Sequence, residues 1–191
     1  SIEFNPGYAA AYNNRGSLYE DLKEYGKALA DYNKAIELNP GYATTYNNRG
    51  SLYEILQDYI KALADYNKAI ELNPGDATAY SNRGFLYETF KNYTKALAEY
   101  NKAIELAPRE VAIYIYRGSL YKTLKEYTKA LADYNKAVEL DPEYALAYNN
   151  RGFLYYKILK NYTKALADYN KAIELNPGYA KTYNNRGGLH Y

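Results

Sequence analysis

The sequence predicts an all-α fold built as a stack of antiparallel helical hairpins, and three observations predict it. A five-residue marker, Tyr-Asn-Asn-Arg-Gly, begins at Tyr12, Tyr46, Tyr148 and Tyr183, with degenerate copies at Tyr80 and Tyr114, so that successive markers lie 34 residues apart except for a last step of 35. Within each repeat, apolar or small residues recur at spacings of four and then three, which stripes one face of a helix. Asn-Pro-Gly stops punctuate the repeats, as at Asn39-Pro40-Gly41 and Asn73-Pro74-Gly75. The chain 1–191 therefore reads as a single array: a partial repeat over 1–8, repeats at 9–42, 43–76, 77–110, 111–144 and 145–179, and a partial repeat over 180–191.

With Ala9 as position 1, the stripes of repeat one are Tyr12, Gly16 and Tyr19, then Ala28, Tyr32 and Ala35. Each repeat thus holds two helices, the first over positions 1–14 and the second over 17–30. Proline cannot donate to a helix and pushes the preceding residue out of helical geometry, so each second helix ends just ahead of its stop. A glycine inside a helix costs about 1 kcal/mol against alanine. The return of Gly16 as Gly50 and onward marks a close approach of the two helices, with Ala28 and Ala35 also small and the tyrosines filling the space between repeats. Repeat five carries one extra residue, Tyr156-Lys157-Ile158-Leu159-Lys160 against Glu88-Thr89-Phe90-Lys91 in repeat three, which predicts a longer turn or a local bulge. Ile2 to Pro6 matches the tail of a second helix, and Tyr183 to Tyr191 reads as a first helix without its partner. Stacked repeats need polar caps at their ends. The expectation is that the array was longer or self-associates through its ends.

Composition narrows the function classes. With 24 basic and 22 acidic residues the net charge is +2, which argues against nucleic acid, since phosphate-tracking domains carry a strong basic excess. No apolar run approaches the roughly 20 residues that span a bilayer, and Ser1 to Pro6 lacks the layout of a secretory signal. The absence of cysteine excludes disulfides, thiolate metal sites and cysteine nucleophiles, and leaves the compartment open. His190 is the sole histidine and falls near an end. No nucleophile, base and orienting group converge, so neither catalysis nor a cofactor or metal is expected.

The repeat resembles the tetratricopeptide repeat, a 34-residue helical hairpin whose pattern has a large residue at position 4, Gly or Ala at 8, Tyr at 11, Ala at 20, an aromatic at 24, Ala at 27 and Pro at 32. Repeat one supplies Tyr12, Gly16, Tyr19, Ala28, Tyr32, Ala35 and Pro40 at those places. The resemblance implies a right-handed superhelix whose first helices line a concave groove, and a function of holding a segment of another protein there. Some members grip carboxy-terminal peptides with a carboxylate clamp. This chain has Asn13, Ser17, Asn48, Thr78 and Asn82 at the clamp positions and only Asn48 fits, so that function is not expected.

Four sets of residues are candidates for recognition. Arg15, Arg49, Arg83, Arg117, Arg151 and Arg186 fill position 7. A guanidinium ladder suits acidic or phosphate partners, but position 23 is acidic in every complete repeat (Asp31, Asp65, Glu99, Asp133, Asp168), and pairing between the helices is the favoured reading. Asparagines at position 6, namely Asn14, Asn48, Asn82, Asn150 and Asn185, offer a donor and an acceptor per repeat to an extended peptide backbone, with Tyr116 breaking the series. This series is similar to the asparagine ladder in the repeat domain of the O-linked N-acetylglucosamine transferase. Asn13, Asn47, Asn149 and Asn184 accompany it at position 5, and the alternative for all of them is simple solvation. Apolar residues gather in repeats three to five, at Phe85, Ile115, Tyr116, Leu146, Phe153 and Tyr156, with Phe85, Tyr116 and Phe153 as the expected side-chain pocket unless the rings pack on each other. Groove charge drifts from Glu20, Asp21, Glu54 and Glu88 to Lys122, Lys157 and Lys181.

The leading expectation is a non-catalytic scaffold holding a protein or peptide segment along the position-6 amides. Its rival is a structural rod of repeats stacking end to end, which would show as mass rising with concentration in light scattering. RNA binding is disfavoured because such arrays need basic grooves.

Overall fold

The computed structural model describes residues 8–188, so His190 lies outside the described residues. Eleven helices are present among them. Five hairpins pair α1 (Ala9–Asp21) with α2 (Tyr25–Leu38), α3 (Ala43–Ile55) with α4 (Tyr59–Leu72), α5 (Ala77–Thr89) with α6 (Tyr93–Leu106), α7 (Val111–Thr123) with α8 (Tyr127–Leu140), and α9 (Ala145–Lys157) with α10 (Tyr162–Leu175). The last helix, α11 (Ala180–Gly187), packs on α10. The chain forms two compact units, one up to Leu106 and one from Ala107.

The stops work as the sequence suggested. The backbone N–H of Gly41 donates to Asn39 Oδ1 at 3.1 Å, and Gly75 and Gly178 repeat the bond to Asn73 and Asn176 at 3.2 and 3.1 Å. This Asx turn competes with the helix for the chain just as proline removes the next donor. Side-chain caps open other helices: Asp76 accepts from the N–H groups of Thr78 and Ala79, and Asn161 from that of Lys164.

The first helices end one residue earlier than position 14. In repeat one the N–H of Lys23 bonds the Glu20 carbonyl and that of Glu24 the Tyr19 carbonyl, at 2.9 and 2.8 Å, a Schellman closure with the intervening residue left-handed. Lys23, Gln57, Lys91, Lys125 and Lys160 all take φ between 53° and 62°. A side chain there is strained where glycine is not. Gln57→Gly is therefore expected to raise stability by about 0.5–1 kcal/mol, seen as a higher urea midpoint; a lower midpoint would contradict the strain argument.

Repeat five absorbs its extra residue in this turn. Four residues, 158–161, separate α9 from α10, against three, 124–126, between α7 and α8, and the N–H of Asn161 reaches back to the Tyr155 carbonyl at 2.9 Å.

The core is a repeated plug. Tyr32, Tyr66, Tyr100, Tyr134 and Tyr169 at position 24 are all fully buried. A Cβ built on Gly50 would meet the Tyr66 ring at 2.8 Å, and Gly16 repeats this with Tyr32 at 2.7 Å, so the glycine makes room for a ring of its own hairpin rather than for helix backbone. In the first unit the far sides of the Tyr32 and Tyr66 rings are closed by the next repeat: Ala28, Tyr32 and Leu52 form one cluster, and Ala62, Tyr66 and Leu86 another. At these two places position 24 thus cements a hairpin internally and to its successor.

Candidate functional site

Within the first unit α3 touches both α1 and α5, and within the second α7 touches α9, whereas among the described residues no comparable contact joins consecutive second helices of one unit. The first helices therefore line one side of each unit, and the candidate residues all lie on them.

The arginines are committed to the fold. Arg49 grips Asp65 in a fork, Nε to Oδ2 at 2.7 Å and Nη2 to Oδ1 at 2.7 Å, while its Nη1 donates to Asn33 Oδ1 of the preceding repeat at 2.6 Å. Arg151 repeats the set with Asp168 and Asn135. Arg15, Arg83 and Arg117 hold Asp31, Glu99 and Asp133 in the same way. The Arg49 guanidinium also lies 5.6 Å from the Tyr46 ring centre and 5.8 Å from that of Tyr53, within cation–π reach. The Asp65 hydrogen bond pushes Arg49 further above its usual pKa, so the guanidinium stays charged. The pairing reading holds, and the asparagine at position 25, which the sequence reading passed over, is its third member. Its recurrence 16 residues before each following arginine was the available signal.

The position-6 amides are partly engaged. Asn48 donates through Nδ2 to Asn13 Oδ1 at 3.0 Å, Asn82 to Asn47 at 3.1 Å, and Asn185 to Asn149 at 3.0 Å. In each case the partner is the position-5 amide of the preceding repeat. Those partners are buried, with Asn149 only 1 % exposed. Asn13 in turn donates to Asn14 at 3.2 Å, so amides form a relay along the first helices. Asn14 is exposed, and Asn48, Asn82, Asn150 and Asn185 are half-buried. Asn150 has Ile115 at the equivalent preceding position and receives only the 3.4 Å bond from Asn149. Simple solvation is thus wrong for Asn48, Asn82 and Asn185. One N–H is spent on the neighbour.

The apolar candidates separate. Phe85 of the first unit is 46 % exposed, and Tyr116 of the second 42 %. Phe153 is half-buried beneath the Lys122 ammonium, 5.3 Å above its ring. Ile115 is only 3 % exposed, which corrects its place among the accessible residues, because position 5 faces inward here as it does for Asn149. Leu146 joins Tyr144, Leu175 and Tyr179 around an open cleft of about 450 Å³.

Positions 9 and 12 complete the buried tyrosine. Tyr32, Tyr66 and Tyr100 donate to Glu20, Glu54 and Glu88 at 2.9, 3.0 and 3.2 Å. Burial pushes the Glu20 and Glu54 carboxyls up, and the tyrosine bonds oppose it. Burial pushes the Tyr32 and Tyr66 hydroxyls up in pKa, and Ser17 and Ser51 at position 9 oppose that push. In repeat four position 12 is Lys122, and Tyr134 shares a hydrogen bond with Ser119 at 3.2 Å instead. In repeat five both acceptors are gone: position 9 is Phe153, and Tyr156 at position 12 donates to the Gly188 carbonyl. The Tyr169 hydroxyl is buried with no partner among the described residues.

No described helix is long and apolar enough to cross a membrane. No curated protein matches the sequence. Among solved structures, the chain is similar to YrrB, described as a TPR protein with an unusual peptide-binding site, at 27% identity over 97% of this chain and 95% of that one, with a TM-score of 0.68. It is likewise similar to a tetratricopeptide repeat protein from Parabacteroides merdae, at 27% identity over 100% and 74% of the two chains and a TM-score of 0.76. The fold of PilF from Pseudomonas aeruginosa is shared at 19% identity over 98% and 85%, with a TM-score of 0.80. Tetratricopeptide-repeat family models match residues 9–42, 41–109 and 145–179, and a TPR repeat model matches 118–158. The chain belongs to the tetratricopeptide-repeat family, whose fold is a scaffold for interactions between proteins.

Proposed function

We propose that this protein is a non-catalytic scaffold that holds an extended segment of a partner protein along the position-6 amides of its first helices. The observation that carries the reading is the amide relay. Because Asn48, Asn82 and Asn185 each spend one N–H on a buried position-5 carbonyl, their rotamers are held, and each keeps its own Oδ1 and second N–H for a partner. A peptide backbone presents a matching donor and acceptor at every residue. Held rotamers reduce the ordering entropy lost on binding, which favours backbone recognition tolerant of sequence. Phe85, Tyr116 and Phe153 then contribute apolar contacts for partner side chains, each within its own unit. The peptide-binding site named for YrrB supports the same class of ligand at 27% identity.

The test is titration of an acetylated, amidated hexaglutamine peptide against the protein and against the Asn48→Ala, Asn82→Ala double variant, both within the first unit. Two lost amides at about 1 kcal/mol each predict a loss of affinity of about 30-fold. An unchanged dissociation constant removes the amides from the account.

A further inference from the structure

Tyr169 stands out because its surroundings repeat four times with an acceptor and once without. Repeats one to three place a glutamate at position 12 to receive the buried hydroxyl, and repeat four uses Ser119. Repeat five retains the donor and removes both acceptors, leaving an enclosed hydroxyl with no partner among the described residues. An unmet buried hydroxyl is costly, and native proteins rarely keep one without a ligand or water to satisfy it. The acidic series at position 12 also ends: where the first unit has Glu20, Glu54 and Glu88, the second has Lys122, whose ammonium lies over Phe153 at position 9, and Tyr156, with the Lys157 ammonium of position 13 lying 4.2 Å from the centre of its ring. Among the described residues Lys157 makes no ion pair with a carboxylate. The fold tolerates a carboxylate here, because three repeats carry one at the equivalent point, half-buried and bonded to the tyrosine.

We propose that a carboxylate of the bound partner enters repeat five in place of the missing glutamate, accepting a hydrogen bond from the Tyr169 hydroxyl with Lys122 and Lys157 beside it. The inference rests on the groove reading above and deepens it, by giving the second unit a preference for acidic segments. It uses positions 12, 13 and 24, none of which belongs to the carboxylate clamp of the family. Entry requires the Tyr156 ring to pivot from its bond with Gly188, since the Tyr169 hydroxyl is enclosed as it stands. A charged acceptor makes that hydrogen bond stronger than water does.

The experiment compares acetylated, amidated hexaglutamate with hexaglutamine of the same form at low ionic strength. The unaltered protein is expected to bind hexaglutamate about tenfold tighter, the worth of one charge-assisted hydrogen bond. Tyr169→Phe removes a buried hydroxyl that has no partner, so its melting temperature should rise while the preference for hexaglutamate disappears. Tyr156→Glu should also abolish the preference, because it restores the internal carboxylate of the earlier repeats and occupies the site, and it should raise the melting temperature. Hexaglutamine ending in a free carboxyl distinguishes the source: a gain there that Tyr169→Phe removes assigns the site to a chain terminus rather than to acidic side chains. Equal affinity for the two amidated peptides in the unaltered protein, or a preference that survives Tyr169→Phe, overturns the carboxylate site and leaves the amide groove standing if hexaglutamine still binds. Hexaglutamate binding that needs Tyr169 without any hexaglutamine binding overturns the groove reading and keeps the carboxylate site.

Discussion

Tyr66→Ala is expected to destabilise the protein by about 3–5 kcal/mol, the range for emptying a fully buried aromatic site. Tyr66 is 1 % exposed, fills the space that Gly50 leaves, and contacts Leu86 of the next repeat. Its removal therefore loosens one hairpin and one junction together. In a linear array stability is a sum of repeat and junction contributions, so the transition should broaden as well as shift. Circular dichroism through a urea titration reads both effects. A second measurement isolates the plug. Gly50→Ala alone must push its new methyl group against the Tyr66 ring, at 2.8 Å. In the Tyr66→Ala background that ring is gone, and the same substitution should stabilise by about 1 kcal/mol through helix propensity. Additive effects of the two substitutions would refute the contact.

Arg49→Ala is expected to cost about 3–5 kcal/mol, the penalty for leaving a buried charge without its partner. Asp65 is 6 % exposed and Arg49 supplies both bonds of its fork. Asn33 loses its donor at the same time. The paired substitution Arg49→Met with Asp65→Leu should recover most of the loss, since replacing a buried ion pair with apolar residues is often neutral or stabilising. Arg15→Ala should cost less, because its side chain is 42 % exposed against 17 % for Arg49, so water reaches Asp31 more readily once the guanidinium is removed. Equal losses for Arg15 and Arg49 in urea unfolding would show that burial does not set the cost.

Helix number, helix order and the hairpin stops were legible in the residues of each repeat alone, as was the pairing of position 7 with position 23. The four-and-three stripe, the proline and the Asx-forming asparagine act within a few residues of themselves, so no distant contact is needed to read them. The extra residue of repeat five was likewise readable as a longer turn. The left-handed residue at each inner turn was not legible. Lys23 and Gln57 give no conformational signal of the kind glycine gives, and the hairpin forces them there.

The roles of the asparagines were the hardest to read. Asn13 and Asn14 are the same residue type side by side, yet one is buried and holds Asn48 while the other is exposed. Adjacent helical positions differ by about 100° around the axis, and a partner 35 residues away exists only once two hairpins pack at a definite angle. The same holds for Ile115, which lies inward where an apolar residue on an open groove was expected, and for Tyr169, whose missing acceptor becomes visible only beside Tyr32, Tyr66 and Tyr100 in their completed sites. Local periodicity and chain stops are short-range properties that a linear string records in full. Which polar atom meets which is decided by the packing of helices, and that required the folded arrangement.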